Sequence, residues 1–239
     1  MGYNNSAIIQ YCYTEGTITS TGSNSKVGGI AGTNTGTNAT AAKVVNCYSI
    51  GGVLHIDAKT GWAGGVVGYN DLAIVRYCYA KGSVTNGYYV GGIVGQSVFY
   101  TASSTPSPNN QVNSNVALNL SLSTPYTYTP DTTKNTVYIR GIFGDAAAGN
   151  GHSPNYSQDG MKITYGSSNY QKPYDTNQWG PFYDGVLKTV TDLKSKAWWQ
   201  SKDTTIWPSP WDFNKVWVWN DKGGTTPFAP PTLQNMPAR

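Results

Sequence analysis

The chain has 239 residues, of which 38% are apolar and 12% charged, and its net charge of +4 is spread over isolated Lys and Arg. Such a chain is long and apolar enough to bury a core, and without a basic run it lacks the electrostatic footprint of a nucleic-acid binder. No apolar stretch of about eighteen residues or more is present, so no membrane insertion is expected within it.

Glu15 is the single glutamate, and Gly, Thr, Ser, Asn and Tyr occupy the places that Lys and Glu take in helical proteins, which favours strands and turns. The start at Met1-Gly2 lacks the regions of a signal peptide. The expectation is a fragment whose export signal lies outside it. Cys12, Cys47 and Cys78 allow at most one disulfide and lack the paired spacing of a zinc site, and they read as small buried hydrophobes.

In chain order, three similar units come first. Ile9-Gln10-Tyr11-Cys12-Tyr13 leads through Gly16 to Val27-Gly28-Gly29-Ile30-Ala31-Gly32; Val44-Val45-Asn46-Cys47-Tyr48 leads through Gly51 to Ala63-Gly64-Gly65-Val66-Val67-Gly68; Val75-Arg76-Tyr77-Cys78-Tyr79 leads through Gly82 to Val90-Gly91-Gly92-Ile93-Val94-Gly95. One such unit cannot bury its own apolar face, so successive units are expected to stack. Read as a single strand, the segment from Lys26 to Gly32 is apolar or glycine on both sides, which predicts a close-packed neighbour over its outer face. On that face Trp62 and Tyr89 are equivalent, either a platform for a sugar ring or aromatics laid over their glycine neighbours. Cys and Tyr compete for the inner side: inward cysteines bring Arg76 inward too unless a corner intervenes.

Asn46-Cys47-Tyr48-Ser49 followed by Ala63-Gly64-Gly65-Val66-Val67-Gly68-Tyr69-Asn70 resembles the GLUG repeat of bacterial adhesin-like surface proteins and of non-catalytic regions of some immunoglobulin A peptidases. The likeness runs from residue 8 to about 97, with Tyr11 and Tyr77 standing where the pattern has Asn. It implies an all-β chain, a right-handed parallel β-solenoid of about three to four repeats over residues 1–100.

Residues 101–110 read as a loop. Val112 to Leu120 and Val137 to Gly144 echo the two halves of a unit, making 101–150 a degenerate terminal repeat. Residues 151–239 read as an aromatic-rich C-terminal cap with one helix, Thr191 to Trp199, and turns at Asp159-Gly160 and Asp184-Gly185. Six of the eight tryptophans lie between Trp198 and Trp219, either a small indole core or a carbohydrate-binding surface. Trp217 and Trp219 share one face of a strand. The run from Trp211 to Trp217, with Gly223-Gly224 and Pro231-Thr232-Leu233, is similar to the segment that closes GLUG arrays in Bacteroidetes surface proteins.

Chemistry-bearing patterns are missing. His55 and His152 stand apart, which excludes a helical zinc-peptidase motif, and Asp57 and Asp71 are not repeated between units as a carboxylate ladder requires. The sequence therefore predicts no catalytic residues, no metal and no cofactor. It predicts a surface or secreted adhesin-like or structural module with an extracellular protein or glycan as partner, and candidate contact residues Trp62, Tyr89, Trp217 and Trp219. The alternatives are a carbohydrate-binding or carbohydrate-active domain and the non-catalytic arm of a larger peptidase.

Overall fold

A computed structural model describes residues 1–37, 39–55, 61–98, 110–126, 138–146, 154–171, 184–219 and 230–234. Of the loop expected over 101–110, residues 101–109 lie outside the described ones, as do Asp57 and His152. The chain is nearly all β. Five ladders, parallel apart from one terminal strand, are visited in turn, so each round of chain lays a strand on each ladder. In the first round these are Tyr3–Asn5, Ile8–Gln10, Tyr13–Thr14, Ile18–Ser20 and Lys26–Gly28, ladders one to five. The second round repeats them as Ala31–Thr35, Ala42–Val45, Tyr48–Ser49, Val53–His55 and Trp62–Gly64, and the third begins at Val67.

The strands are short because a corner follows each one. Between ladders two and three the corner is a single left-handed residue: Tyr11, Asn46, Tyr77 and Ser114 have φ of 58°, 53°, 52° and 57°. Asn tolerates this conformation, whereas a tyrosine is disfavoured there; Tyr77 is held by an edge contact with Trp211, ring centroids 6.1 Å apart. The corner also settles which residues point inward. Val44, Cys47, Val75 and Cys78 enter the core, and Arg76 turns outward to donate to the Gln111 side chain.

Inside the rounds, equivalent residues stack. Ile9, Val44, Val75 and Val112 are in register on ladder two, Val27, Ala63, Val90 and Ile139 on ladder five, and Ile18, Val53, Val84, Leu122 and Ile163 on ladder four. Nearly all of these are buried, each burial contributing roughly 1.5–3 kcal/mol. A polar column runs beside them on ladder one, where Asn4 donates to Asn34 at 2.8 Å and Asn34 to Asn70 at 2.9 Å, and Asn70 continues it to Asn110, just before ladder two, at 3.0 Å. It joins rounds through side chains as the ladders do through backbone.

The segment from Lys26 to Gly32 is not one strand. It bends at Gly29-Ile30, and both Ile30 and Ala31 enter the core. The cover expected over its glycine face is the chain itself, because the arms of the bend fold back on each other. A Cβ at Gly28 would stand 2.6 Å from the Gly68 amide nitrogen, and one at Gly64 would stand 2.7 Å from that of Gly95. Only glycine permits this backbone-to-backbone approach.

Beyond residue 110 the ladders continue. Gln111–Asn113, Val116–Ala117, Ser121–Thr124 and Tyr138–Arg140 make a fourth round, and Phe143–Ala146, Tyr156–Gln158 and Lys162–Tyr165 extend ladders one, three and four. Asp159-Gly160 makes the expected turn, and Gly185 has φ of 76°. The single expected helix is two short ones, α1 (Val190–Leu193) and α2 (Lys196–Trp199). Thr189 with Asp192 forms a capping box on α1, and Ser195 restarts the chain as the N-cap of α2. Among the described residues no helix is long and apolar enough to cross a membrane.

The aromatic C-terminal segment lies along the flank of rounds two to five. Trp198, Trp199, Trp207, Trp211 and Trp217 cover the outward residues of ladder three, namely Tyr48, Tyr79, Val116 and Tyr156. That ladder would otherwise show solvent a continuous apolar face.

Candidate functional site

The bend at Gly29-Ile30 and its equivalents brings the outer edges of ladders one and five together, and their side chains form a half-exposed strip. Ladder five contributes Lys26, Trp62 and Tyr89, in register. Ladder one contributes Tyr69, Gln96 and Asp145. The Trp62 and Tyr89 rings are stacked, centroids 6.1 Å apart and 12° from parallel. On the other side of Trp62 the Lys26 ammonium stands 5.4 Å from the indole centroid and 4.4 Å from that of Tyr69, a cation shared by two rings. Tyr69 meets Trp62 edge-on at 5.8 Å. The indole Nε1 donates to Gln96, whose amide donates to Asp145 at 2.9 Å.

The two aromatics named from sequence are thus brought together, but their faces are turned to each other and to Lys26. Outward, the strip presents ring edges and the exposed Lys26 side chain. Burial, reinforced by the charge of Asp71, pushes the Tyr69 hydroxyl up and keeps it protonated as a donor. Burial also raises the Asp71 carboxyl, and Lys26 partly offsets that.

The other two candidates are elsewhere. Trp217 is fully buried between Tyr48, Tyr79 and Trp211 and donates to the Asn46 side chain at 3.4 Å, so it has no face left for a ligand. Trp219 is half-buried beside it. The indole cluster is a core, the packing alternative of the two weighed from sequence.

Lys26, Tyr69, Gln96 and Asp145 escape the sequence reading. Their signal is positional: Tyr69, Gln96 and Asp145 follow their Gly-Gly or Arg-Gly pairs at one spacing. Alternation counted through the bend hides it. Among the described residues no group of three or more His, Cys, Asp or Glu is placed to hold a metal.

The profile of the GLUG motif matches residues 63–85. This stretch carries a GLUG motif. In the fold it contains part or all of one strand from every ladder, from Ala63 on ladder five to Val84–Thr85 on ladder four, so one GLUG motif is one complete round. The rounds before and after it hold the same register, extending the repeat beyond the matched residues. No curated protein matches the chain. Among solved structures, a provisionally assigned immunoglobulin A1 protease from Bacteroides ovatus is similar at 18% identity and a TM-score of 0.56, over 95% of this chain. The chain spans 57% of that protein, and the likeness is one of fold.

Proposed function

We propose that the chain is a non-catalytic, adhesin-like module of a secreted or cell-surface protein. In this reading the parallel rounds are a right-handed β-solenoid, and the module works by presenting a regular lateral face to an extracellular protein or glycan. The observation that carries the reading is the strip of Lys26, Trp62 and Tyr89, in register on consecutive rounds, Lys26 exposed and the two rings half-exposed, while the residue after each, Val27, Ala63 and Val90, is buried. A repeat array sets the spacing of such side chains by its strand separation, about 4.8 Å per round, which suits an extended ligand better than a compact one. Because the ring faces are occupied, hydroxyl-rich ligands meet hydrogen-bonding groups and ring edges.

The test is a glycan-array screen of the purified chain and of a Trp62→Ala, Tyr89→Ala double variant, with circular dichroism as the check on folding. Binding that a folded double variant loses supports a lectin-like contact face. A folded chain that binds no glycan, or binds equally without both rings, overturns the assignment of the strip to glycan.

The solved structure supports a second reading, the non-catalytic arm of a larger peptidase, since almost all of this chain is matched by part of a longer protein assigned to that activity. Incubation of immunoglobulin A1 with the purified chain should then leave the antibody intact on a gel. Cleavage would refute both readings.

A further inference from the structure

One inward position lies directly after the left-handed corner between ladders two and three. Successive rounds fill it with Cys12, Cys47, Cys78, Asn115 and Asn155. The amide end of this column is closed by hydrogen bonds: Asn115 donates to Val75 O at 2.9 Å and to Asn155 Oδ1 at 3.0 Å, and its own Oδ1 accepts from the Cys78 amide. The thiol end is built differently. Each thiol donates to the carbonyl two residues back, Cys12 to Gln10, Cys47 to Val45 and Cys78 to Arg76, at 3.3, 3.2 and 3.1 Å. The cysteines follow the ladder register, with the Tyr48 amide bonded to Cys12 O at 3.0 Å and the Tyr79 amide to Cys47 O at 3.2 Å. In-register neighbours on parallel strands stand about 4.8 Å apart, inside the Cα separation that a disulfide spans. Cys47 and Cys78 are fully buried, whereas Cys12 is exposed.

The geometry points to Cys12 and Cys47 as a disulfide-forming pair, an oxidative staple that ties the first round to the second and leaves Cys78 as a thiol. The oxidant is a small-molecule disulfide such as oxidised glutathione. The exposed Cys12 thiolate attacks one of its sulfurs, the S–S bond breaks, and one glutathione thiolate leaves. Cys47 gives its proton to water and attacks the Cys12 sulfur of the mixed disulfide, expelling the second glutathione thiolate. Two protein thiols are oxidised by two electrons, and one glutathione disulfide becomes two thiols. Cys47 suits the second step by position, one round from Cys12 in the ladder register, and burial, which raises the Cys12 thiol, makes the first step the slow one. Burial pushes Cys78 well up and keeps it protonated.

The staple falls on the part of ladder three that the tryptophan flank does not cover: that flank reaches only to Tyr48, and Ile8, Tyr11 and Tyr13 are exposed.

The native chain is incubated with excess oxidised glutathione, its remaining thiols are alkylated under denaturing conditions, and it is digested with trypsin. Cleavage at Lys26, Lys43, Lys59, Arg76 and Lys81 places each cysteine on its own peptide. The expected result is loss of two of the three free thiols, a cross-linked species of peptides 1–26 and 44–59, and an alkylated Cys78 peptide. A Cys12→Ser variant, altered at an exposed position, should keep both remaining thiols. A persistent glutathione adduct on Cys12, a link between Cys47 and Cys78, a dimer joined through Cys12, or three unchanged thiols would each overturn the assignment.

Discussion

Tyr48 and Tyr79 lie face to face, ring centroids 4.9 Å apart and 5° from parallel, and Trp217 leans against both at 6.3 and 6.0 Å. Two consecutive rounds are thereby tied to a segment that follows them by well over a hundred residues, and that segment is held by the same side chains it covers.

Trp217→Ala should therefore do more than thin a core. Removing a fully buried indole costs about 3–5 kcal/mol, and here the loss falls on the contact between flank and rounds. Denaturant unfolding followed by tryptophan fluorescence should show a lower midpoint for Trp217→Ala. Trp219→Ala, at a half-buried position, should cost roughly 1 kcal/mol. Equal effects of the two would contradict the packing described.

Asn34→Ala removes the acceptor of the Asn4 amide and the donor to Asn70. An unmatched buried polar group costs about 1–3 kcal/mol. Asn34→Asp should be worse at neutral pH, because its carboxylate would be fully buried against the Asn70 oxygen. Burial raises the folded pKa of such a carboxyl, so part of the lost stability should return on acidification and vanish again as pH rises through that pKa. Urea midpoints at two pH values check both statements.

Gly64→Ala places a Cβ against the Val67 carbonyl oxygen and 2.7 Å from the Gly95 nitrogen, and neither backbone atom can move aside cheaply. The variant should lose several kcal/mol, roughly 3 or more, or fail to fold. Gly52→Ala is the control: its Cβ would find its nearest neighbour at 3.7 Å, so it should be neutral or more stable by about 0.4–1 kcal/mol through the unfolded state. Thermal melts of the pair separate close approach from glycine content as such.

The Tyr156 hydroxyl donates to Ile206 O at 2.6 Å, and burial, with a smaller push from Asp203, raises it from 10.0 to about 12. The folded state thus favours the neutral phenol. Its contribution is fully present below pH 10 and is lost as pH rises through about 12, where the phenolate becomes favourable in the folded chain too. Alkaline titration of stability should fall over that window in the native chain and less steeply in Tyr156→Phe. An unchanged slope would mean that other tyrosines carry the alkaline transition.

The amino-acid sequence alone determined the repeat, because Cys-Tyr and Gly-Gly recur in the same order and stacked identical units are the cheapest way to bury their apolar faces. From that follow the β class and the equivalence of Trp62 with Tyr89, whereas the expectation that all three cysteines are buried holds for Cys47 and Cys78 and fails for Cys12. What it left open depended on corners. A side chain's direction can be counted by alternation only while a strand continues, and a left-handed Tyr77 or a bend at Gly29-Ile30 resets the count. The inward turn of the cysteines, the outward turn of Arg76 and the meeting of Lys26, Trp62 and Tyr69 were decided by those resets. The fate of the tryptophans was decided later still. An indole suits a sugar or a core equally well, and only the docking of the C-terminal segment onto the tyrosines of ladder three buried Trp217 and left Trp62 at the surface.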